Sequence, residues 1–242
     1  MPATFIAILT AHLLGDFILQ PAWMIEHKRR ISILFLHAAV VTLASYLFLG
    51  TFHSAILLII LLTHLGIDAI KVYLCSNSLG PFLADQFIHI AVLVGLAIYF
   101  PDAAKNGWWI VRFPPDLSKW YFASLTVVSG LILCVPAGGI LIAKLIEIFA
   151  TEIRDNNLTG LKQGGLYIGW LERILVMLLL LMNQPNGIGF LIAAKSILRF
   201  GEIKDASQRK VAEYIIIGTF LSFGWALLIS ALTQRALGYW LS

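Results

Sequence analysis

Residues 11–20 read AHLLGDFILQ, and they sit inside a stretch that is otherwise almost pure hydrocarbon. On a helix, His12, Asp16 and Gln20 stand one turn apart and form a single polar stripe. A histidine, a carboxylate and an amide on one face of a membrane-length segment set two questions: what kind of fold this is, and what the stripe faces.

The surrounding composition answers the first. Of 242 residues, 60 % are hydrophobic and 12 % charged, and the mean hydropathy is +0.88. A soluble domain carries about twice that charge fraction. Repeated apolar runs close to 20 residues long predict an all-α, polytopic transmembrane bundle. The two-residue alternation of an outer-membrane barrel is absent. The segment before His12 lacks a basic region and no small-residue cleavage site follows it, so the first apolar helix is expected to stay as a span rather than be removed. Cys75 and Cys134 are isolated, which argues against a disulfide framework or a thiolate metal pair.

Eight spans are expected, at roughly 3–22, 31–50, 54–74, 82–100, 120–149, 164–182, 187–200 and 213–235. The seventh is short enough for a re-entrant helix. The fifth contains CVPAGG (134–139), where Pro136 and two glycines predict a kink. The expected organisation is a four-helix half over 1–100, an extracytoplasmic linker over 101–119, and a second four-helix half over 120–242. Basic residues cluster after the odd-numbered spans: EHKRR (26–30), Lys71, Arg154 with Lys162, and RFGEIKDASQRK (199–210). That asymmetry predicts a bacterial inner-membrane protein with both termini outside and the basic loops in the cytoplasm. The net charge of +4 is thus a topology signal and not a nucleic-acid footprint.

The first half also repeats itself. His12 pairs with His64, Asp16 with Asp68 and His37 with His89, each at an offset of 52 residues (64 − 12, 68 − 16, 89 − 37). Each copy spans one helical hairpin, so tandem copies keep one orientation and predict a pseudo-two-fold along the membrane normal. With the spans above, Asp16, His37 and Asp68 each lie six residues from the cytoplasmic end, about 9 Å at 1.5 Å per residue. His12 and His64 lie one turn deeper, and Asp85 and His89 enter the same layer from the fourth span.

An ionisable group inside a span costs on the order of 2.5–3.5 kcal/mol, so it faces protein or water and has a partner. Each hairpin offers two imidazoles and one carboxylate: His12, Asp16, His37 and His64, Asp68, His89. Such a set suits zinc first, and iron or manganese as well, with positions left for water or substrate. Two such sets predict a pair of metals in the manner of two-metal hydrolases. Asp85 has no counterpart in the first copy, where Ile33 stands, and is the candidate bridging ligand or general base. Gln20, Lys71 and Gln86 are the candidates to orient ligands or substrate. Two other readings stay open: a polar network that only fastens hairpins together, and a pathway for protons or ions. His27 and His53 fall at span ends and are left out of the site.

The second half carries a different set. GWLERILVM (169–177) places Glu172 and Arg173 in the sixth span, and AAKSILRFGE (193–202) adds Lys195 and Arg199. Internal ion pairing and ordinary positive-inside anchoring account for these residues as readily as an anion subsite does. In the second case Arg173, Lys195 and Arg199 hold a phosphate or carboxylate. The GLKQGG run (160–165) has no P-loop pattern.

The motifs HLLGDFILQ with a following Lys and LH, H…D..K, DQFIH, LER and AAKSILRF.E together resemble a bacterial family of polytopic membrane proteins, domain of unknown function 3307, over nearly the whole chain. The resemblance implies an integral membrane protein and brings no activity. More distantly, the intramembrane His/Asp pattern is similar to that of inner-membrane metal-dependent hydrolases. The function expected is a metal-dependent hydrolase of a membrane-associated ester, amide or phosphoester, with metal-bound water as nucleophile and Asp85 as base. The partners expected are the lipid bilayer and a lipid or amphipathic substrate, with no nucleic acid. A transporter of protons or divalent metals and a non-catalytic scaffold are the alternatives. The outer halves of spans one to four are nearly all apolar, which favours a one-sided site over a through-path.

Overall fold

The computed structural model describes residues 1–150, 163–200 and 209–242, apart from the side chains of 115, 148, 150, 198–200 and 209. Among the described residues the chain is helical and has no strand. The helices are α1 (Pro2–Phe17), α2 (Ala22–Glu26), α3 (Ile31–Leu49), α4 (Ser54–Leu74), α5 (Leu79–Tyr99), α6 (Pro115–Ile132), α7 (Gly138–Ala150), α8 (Gly164–Leu181), α9 (Asn186–Phe200) and α10 (Arg209–Leu241). A π-helical segment, Leu133–Ala137, joins α6 to α7.

Among the described residues, six stretches are long and apolar enough to cross a membrane, not eight: Ile31–Leu49, Ser54–Leu74, Leu79–Tyr99, Asp116–Glu147, Gly164–Leu181 and Lys210–Leu241. The predicted first and seventh spans are shorter apolar helices, Pro2–Phe17 and Asn186–Ile197. The reason is local. Leu19 N–H bonds back to Leu14 C=O, which ends α1 at Phe17, and Pro21 then opens the short α2. Sixteen residues of helix measure about 24 Å, less than a ~30 Å hydrocarbon core. Gln20 therefore lies beyond the helix end, so the stripe that opened the sequence holds only His12 and Asp16 on helical backbone. At the predicted kink, Pro136 sits inside the π-helical segment, as a residue without an N–H requires.

The chain divides into two compact units, Met1–Ile132 with Leu237–Ser242, and Leu133–Ala236. In the first, α1 carries Ala3, Ala7, Ala11 and Gly15 at four-residue spacing, all buried. Helices in lipid gain no hydrophobic drive from one another, so close backbone approach over small residues supplies the attraction by van der Waals packing. Here α1 meets α3 so closely that a Cβ on Gly15 would stand 2.4 Å from Cγ2 of Val41. Thr10 ties α1 to α6 through Ser129, Oγ1 to Oγ 2.8 Å.

One end of this unit has an apolar core. Ala3, Ala7 and Ile8 begin α1, Leu49 ends α3, Ile56 and Ile60 begin α4, and Leu93 and Leu96 end α5, and all lie in one buried cluster. Residues 101–110 pack on that end. Trp108 N–H donates to Gly50 C=O at 2.6 Å, and Thr4 Oγ1 donates to Pro101 C=O at 2.9 Å. Gly50 closes α3 at φ 65°, where a side chain would be strained and would also strike Trp109. The opposite end is where the polar layer gathers.

In the second unit, Cys134, Val176, Met177, Phe223 and Ala226 form the core. The π-helical segment frees carbonyls that its own helix leaves unbonded: Leu133 C=O accepts from Trp225 Nε1 at 2.9 Å and Val135 C=O from an Arg173 amino group at 3.1 Å.

Candidate metal centre

The polar layer is built from the last turn of α1 (Asp16), the second turn of α3 (His37), the last turns of α4 (His64, Asp68) and the second and third turns of α5 (Asp85, His89). All six expected donors, with Asp85, come together there. His12, His37, His64, Asp68, Asp85 and His89 are buried, and the Asp16 side chain is 10 % exposed. Three groups of side chains can hold a cation among the described residues: His12, Asp16 and His64; His37, His64 and Asp68; and Asp68, Asp85 and His89. The first two cross between the hairpins, whereas the sequence pattern puts one set on each.

At the centre, His37 Nε2 and His64 Nε2 stand 3.0 Å apart. Asp16 Oδ1 lies 3.3 Å from His37 Nε2 and 3.4 Å from His64 Nε2. Asp68 Oδ2 lies 3.4 and 3.7 Å from the same two nitrogens. These contacts are long for hydrogen bonds between imidazole and carboxylate, which settle at about 2.7–2.9 Å when charge-assisted. They fit another arrangement. Two ligands bonded at 2.0–2.1 Å to one tetrahedral zinc ion stand about 3.3 Å apart. The nitrogen–oxygen set has the spacing of ligands around a cation.

The surrounding hydrogen bonds hold these groups in place. His89 Nδ1 contacts Asp85 C=O at 2.9 Å, which fixes the N–H on Nδ1 and leaves Nε2 as an acceptor; Nε2 is buried with no hydrogen-bond partner. His12 Nε2 is likewise buried and unpartnered. The two rings stack with centroids 4.9 Å apart. Together with His64, they border a cavity of about 10 Å³ walled by Val41, Ile60 and Thr63, room for one water molecule. Lys71 Nζ donates to Asp85 Oδ2 at 2.6 Å, and Gln86 Nε2 donates to both Asp85 Oδ2 and Asp16 Oδ2 at 3.1 Å. Asp85 Oδ1 remains buried and unpartnered.

Lys28 is a member the sequence reading missed. Its Nζ lies 2.8 Å from Asp68 Oδ2, with 13 % of the side chain exposed. Its position in EHKRR marks it as a topology residue, and only the return of α2 toward the bundle brings it to Asp68. Three carboxylates thus face two ammonium groups, Lys28 and Lys71. With neutral imidazoles the layer keeps one negative charge, which a low-dielectric site tolerates only with a further cation or proton. The Gln20 amide nitrogen is buried without a partner. His27 bonds Trp23 C=O and His53 caps α4, so both serve their own helix ends.

Replacing Lys71 with methionine leaves Asp85 buried without its ammonium. The expected loss is about 1–3 kcal/mol of unfolding free energy, below the ~3–5 kcal/mol of a fully buried pair because Lys71 is 30 % exposed. Equilibrium unfolding in mixed micelles measures it, and a second change, Asp85→Leu, is expected to restore most of the loss.

Of the anion-site residues, Arg173 and Lys195 lie in the second unit, and the Arg199 side chain is outside the described residues. Arg173 donates to Ser222 Oγ at 3.0 Å and to Val135 C=O; Lys195 donates to Glu172 at 2.8 Å.

No curated protein and no solved structure matches the chain, so the more distant likeness to metal-dependent hydrolases has no counterpart in either comparison. Residues 4–110, which carry the whole His/Asp layer, match the model of a family described as a protein of unknown function (DUF3307).

Proposed function

We propose that the His/Asp layer is a divalent-metal centre within a multi-pass membrane protein, and that it serves hydrolysis of a membrane-associated ester, amide or phosphoester. The observation that supports the metal is the convergence of His37 Nε2 and His64 Nε2, 3.0 Å apart, on Asp16 Oδ1 and Asp68 Oδ2 at 3.3–3.7 Å, long for charge-assisted hydrogen bonds and compatible with ligands of one ion. Two imidazoles and two carboxylates suit zinc, with manganese or iron as further candidates. The 52-residue offset of the donors supports reading the two hairpins as a duplication.

For hydrolysis, the bound ion would polarise a carbonyl or phosphoryl oxygen. Asp85 is the base in this reading. Lys71 and Gln86 hold one of its oxygens, and the other is buried without a partner within reach of the His89 and Asp68 donors. The apolar packing of the opposite end of the unit supports a site entered from one side only. A second reading rests on His64 and Asp68 each belonging to two donor groups, so that an ion can pass from one group to the next, as metal transport needs.

Metal content of the detergent-purified chain, by elemental mass spectrometry, tests the centre. At least one equivalent of zinc, manganese or iron is expected, and less than stoichiometric metal after supplementation rules the centre out. Flux of the same ion into proteoliposomes that is abolished by Asp16→Asn with Asp68→Asn would move the assignment from hydrolysis to transport.

A further inference from the structure

The second unit contains a cavity of about 370 Å³, in the range of small-ligand sites. Its wall is of two kinds. Ile142, Ile146, Leu166 and Ile215 are apolar, while Arg173, Lys195 and Glu172 bring charge. Lys195 and Glu172 neutralise one another at 2.8 Å. Arg173 is only 4 % exposed and forms no ion pair among the described residues. Two of its nitrogens bond Ser222 and Val135, and Nε is buried with no hydrogen-bond partner among the described residues. Among the described residues that line it, the cavity therefore holds one uncompensated positive charge.

The guanidinium lies close against two glycines. A Cβ on Gly139 would stand 3.0 Å from one amino nitrogen, and a Cβ on Gly169 would stand 3.1 Å from the other. The room at Gly165 and Gly218 is a different matter. A Cβ at Gly165 meets nothing within 4 Å, and one at Gly218 meets only Cδ1 of Ile146, at 3.6 Å. Fixing a cation so deeply in a low-dielectric bundle is unfavourable without a counter-charge. Two neutral acceptors do not offset that; an anion does.

We propose that this cavity binds the monoanionic head of an amphiphile, a phosphodiester of the acidic-phospholipid type, with Arg173 as its charge partner and the isoleucine and leucine wall against its chain. The net single positive charge selects a head of one negative charge over a zwitterion. The mixed wall selects an amphiphile over a free ion. The site stands independently of the metal centre, since none of its residues belongs to that layer.

The test is binding of a fluorescent phosphatidylglycerol by the full chain in detergent, against phosphatidylcholine with the same chains and glycerol phosphate without chains. Phosphatidylglycerol is expected to bind at least about 10-fold more tightly than phosphatidylcholine, and Arg173→Gln is expected to abolish the preference. Because Arg173 also bonds two neighbouring elements, its variant can fail to fold. Gly218→Leu is the second variant: it fills the cavity and touches no charge, and a loss of at least about 10-fold in phosphatidylglycerol affinity at unchanged thermal midpoint is expected. Equal affinity for the two lipids, or undiminished binding by Gly218→Leu, overturns the proposal. Displacement by glycerol phosphate at concentrations comparable with the lipid overturns the amphiphile and reassigns the pocket to a soluble anion.

Discussion

His64→Ala is expected to lower zinc affinity by more than about 100-fold, the largest loss of any single change in the polar layer. Removing a group that merely supports a ligand already costs ~10–100-fold, and His64 does more than that. It belongs to two of the three donor groups, and its Nε2 lies within 3.7 Å of His37, Asp16 and Asp68 donor atoms. No neighbour takes its place, because the imidazoles of His12 and His89, on separate helices, meet its ring edge-on and tilted and are held in their own positions by stacking on each other. Competition with a chelating dye measures the affinity. His53→Ala is the control: its ring caps α4 and packs on Phe100, far along the helix from the layer, and the affinity is expected to stay within about twofold. Equal losses in the two variants would mean that the histidine effect is general destabilisation and not ligation.

Gly15→Leu carries the second large effect. A Cβ at position 15 would already lie 2.4 Å from Val41 Cγ2, so the rest of a leucine cannot enter without moving α1 away from α3. Overpacking of this kind costs typically ~1–3 kcal/mol, and more where a backbone must shift. We expect about 3 kcal/mol or more here, read as a lower thermal midpoint and poor recovery from detergent. Metal is expected to be lost in the same variant, since α1 supplies His12 and Asp16 while α3 supplies His37. The matching control is Gly66→Leu on α4, where a Cβ meets nothing within 4 Å; its unfolding free energy is expected to stay within about 0.5 kcal/mol. If both variants behave alike, the close crossing of α1 and α3 is not what holds the layer together.

Much of the site was legible because membrane-length hydrocarbon leaves few polar residues to choose from. His12, Asp16, His37, His64, Asp68, Asp85 and His89 stand out against their spans, and depth alone brings them to one layer. Lys28 was not legible. A lysine beside two arginines in a short loop reads as positive-inside anchoring, and nothing local distinguishes the one that turns back to Asp68. The grouping of donors was hidden for a related reason. A 52-residue offset relates positions along the chain, but contact depends on how α1, α3, α4 and α5 cross. The end of α1 at Phe17 was missed because Ile18 and Leu19 continue the apolar run, and only the returning Leu19 N–H shows the chain leaving the helix.

By itself the sequence determines that this chain is a helical bundle of membrane type and that its ionisable residues share a level. The physical reason is the solvent: hydrocarbon obliges the backbone to bond within its own helix and makes each buried charge too costly to be incidental. Tertiary structure alone decided which nitrogens meet which oxygens, that Lys28 and Lys71 leave the layer one negative charge, and that Arg173 of the second unit has no carboxylate partner among the described residues. Those outcomes turn on differences of an ångström or less between a hydrogen bond and a ligand spacing. Helix crossings, set by small residues such as Gly15, fix distances at that scale; residue order along the chain does not.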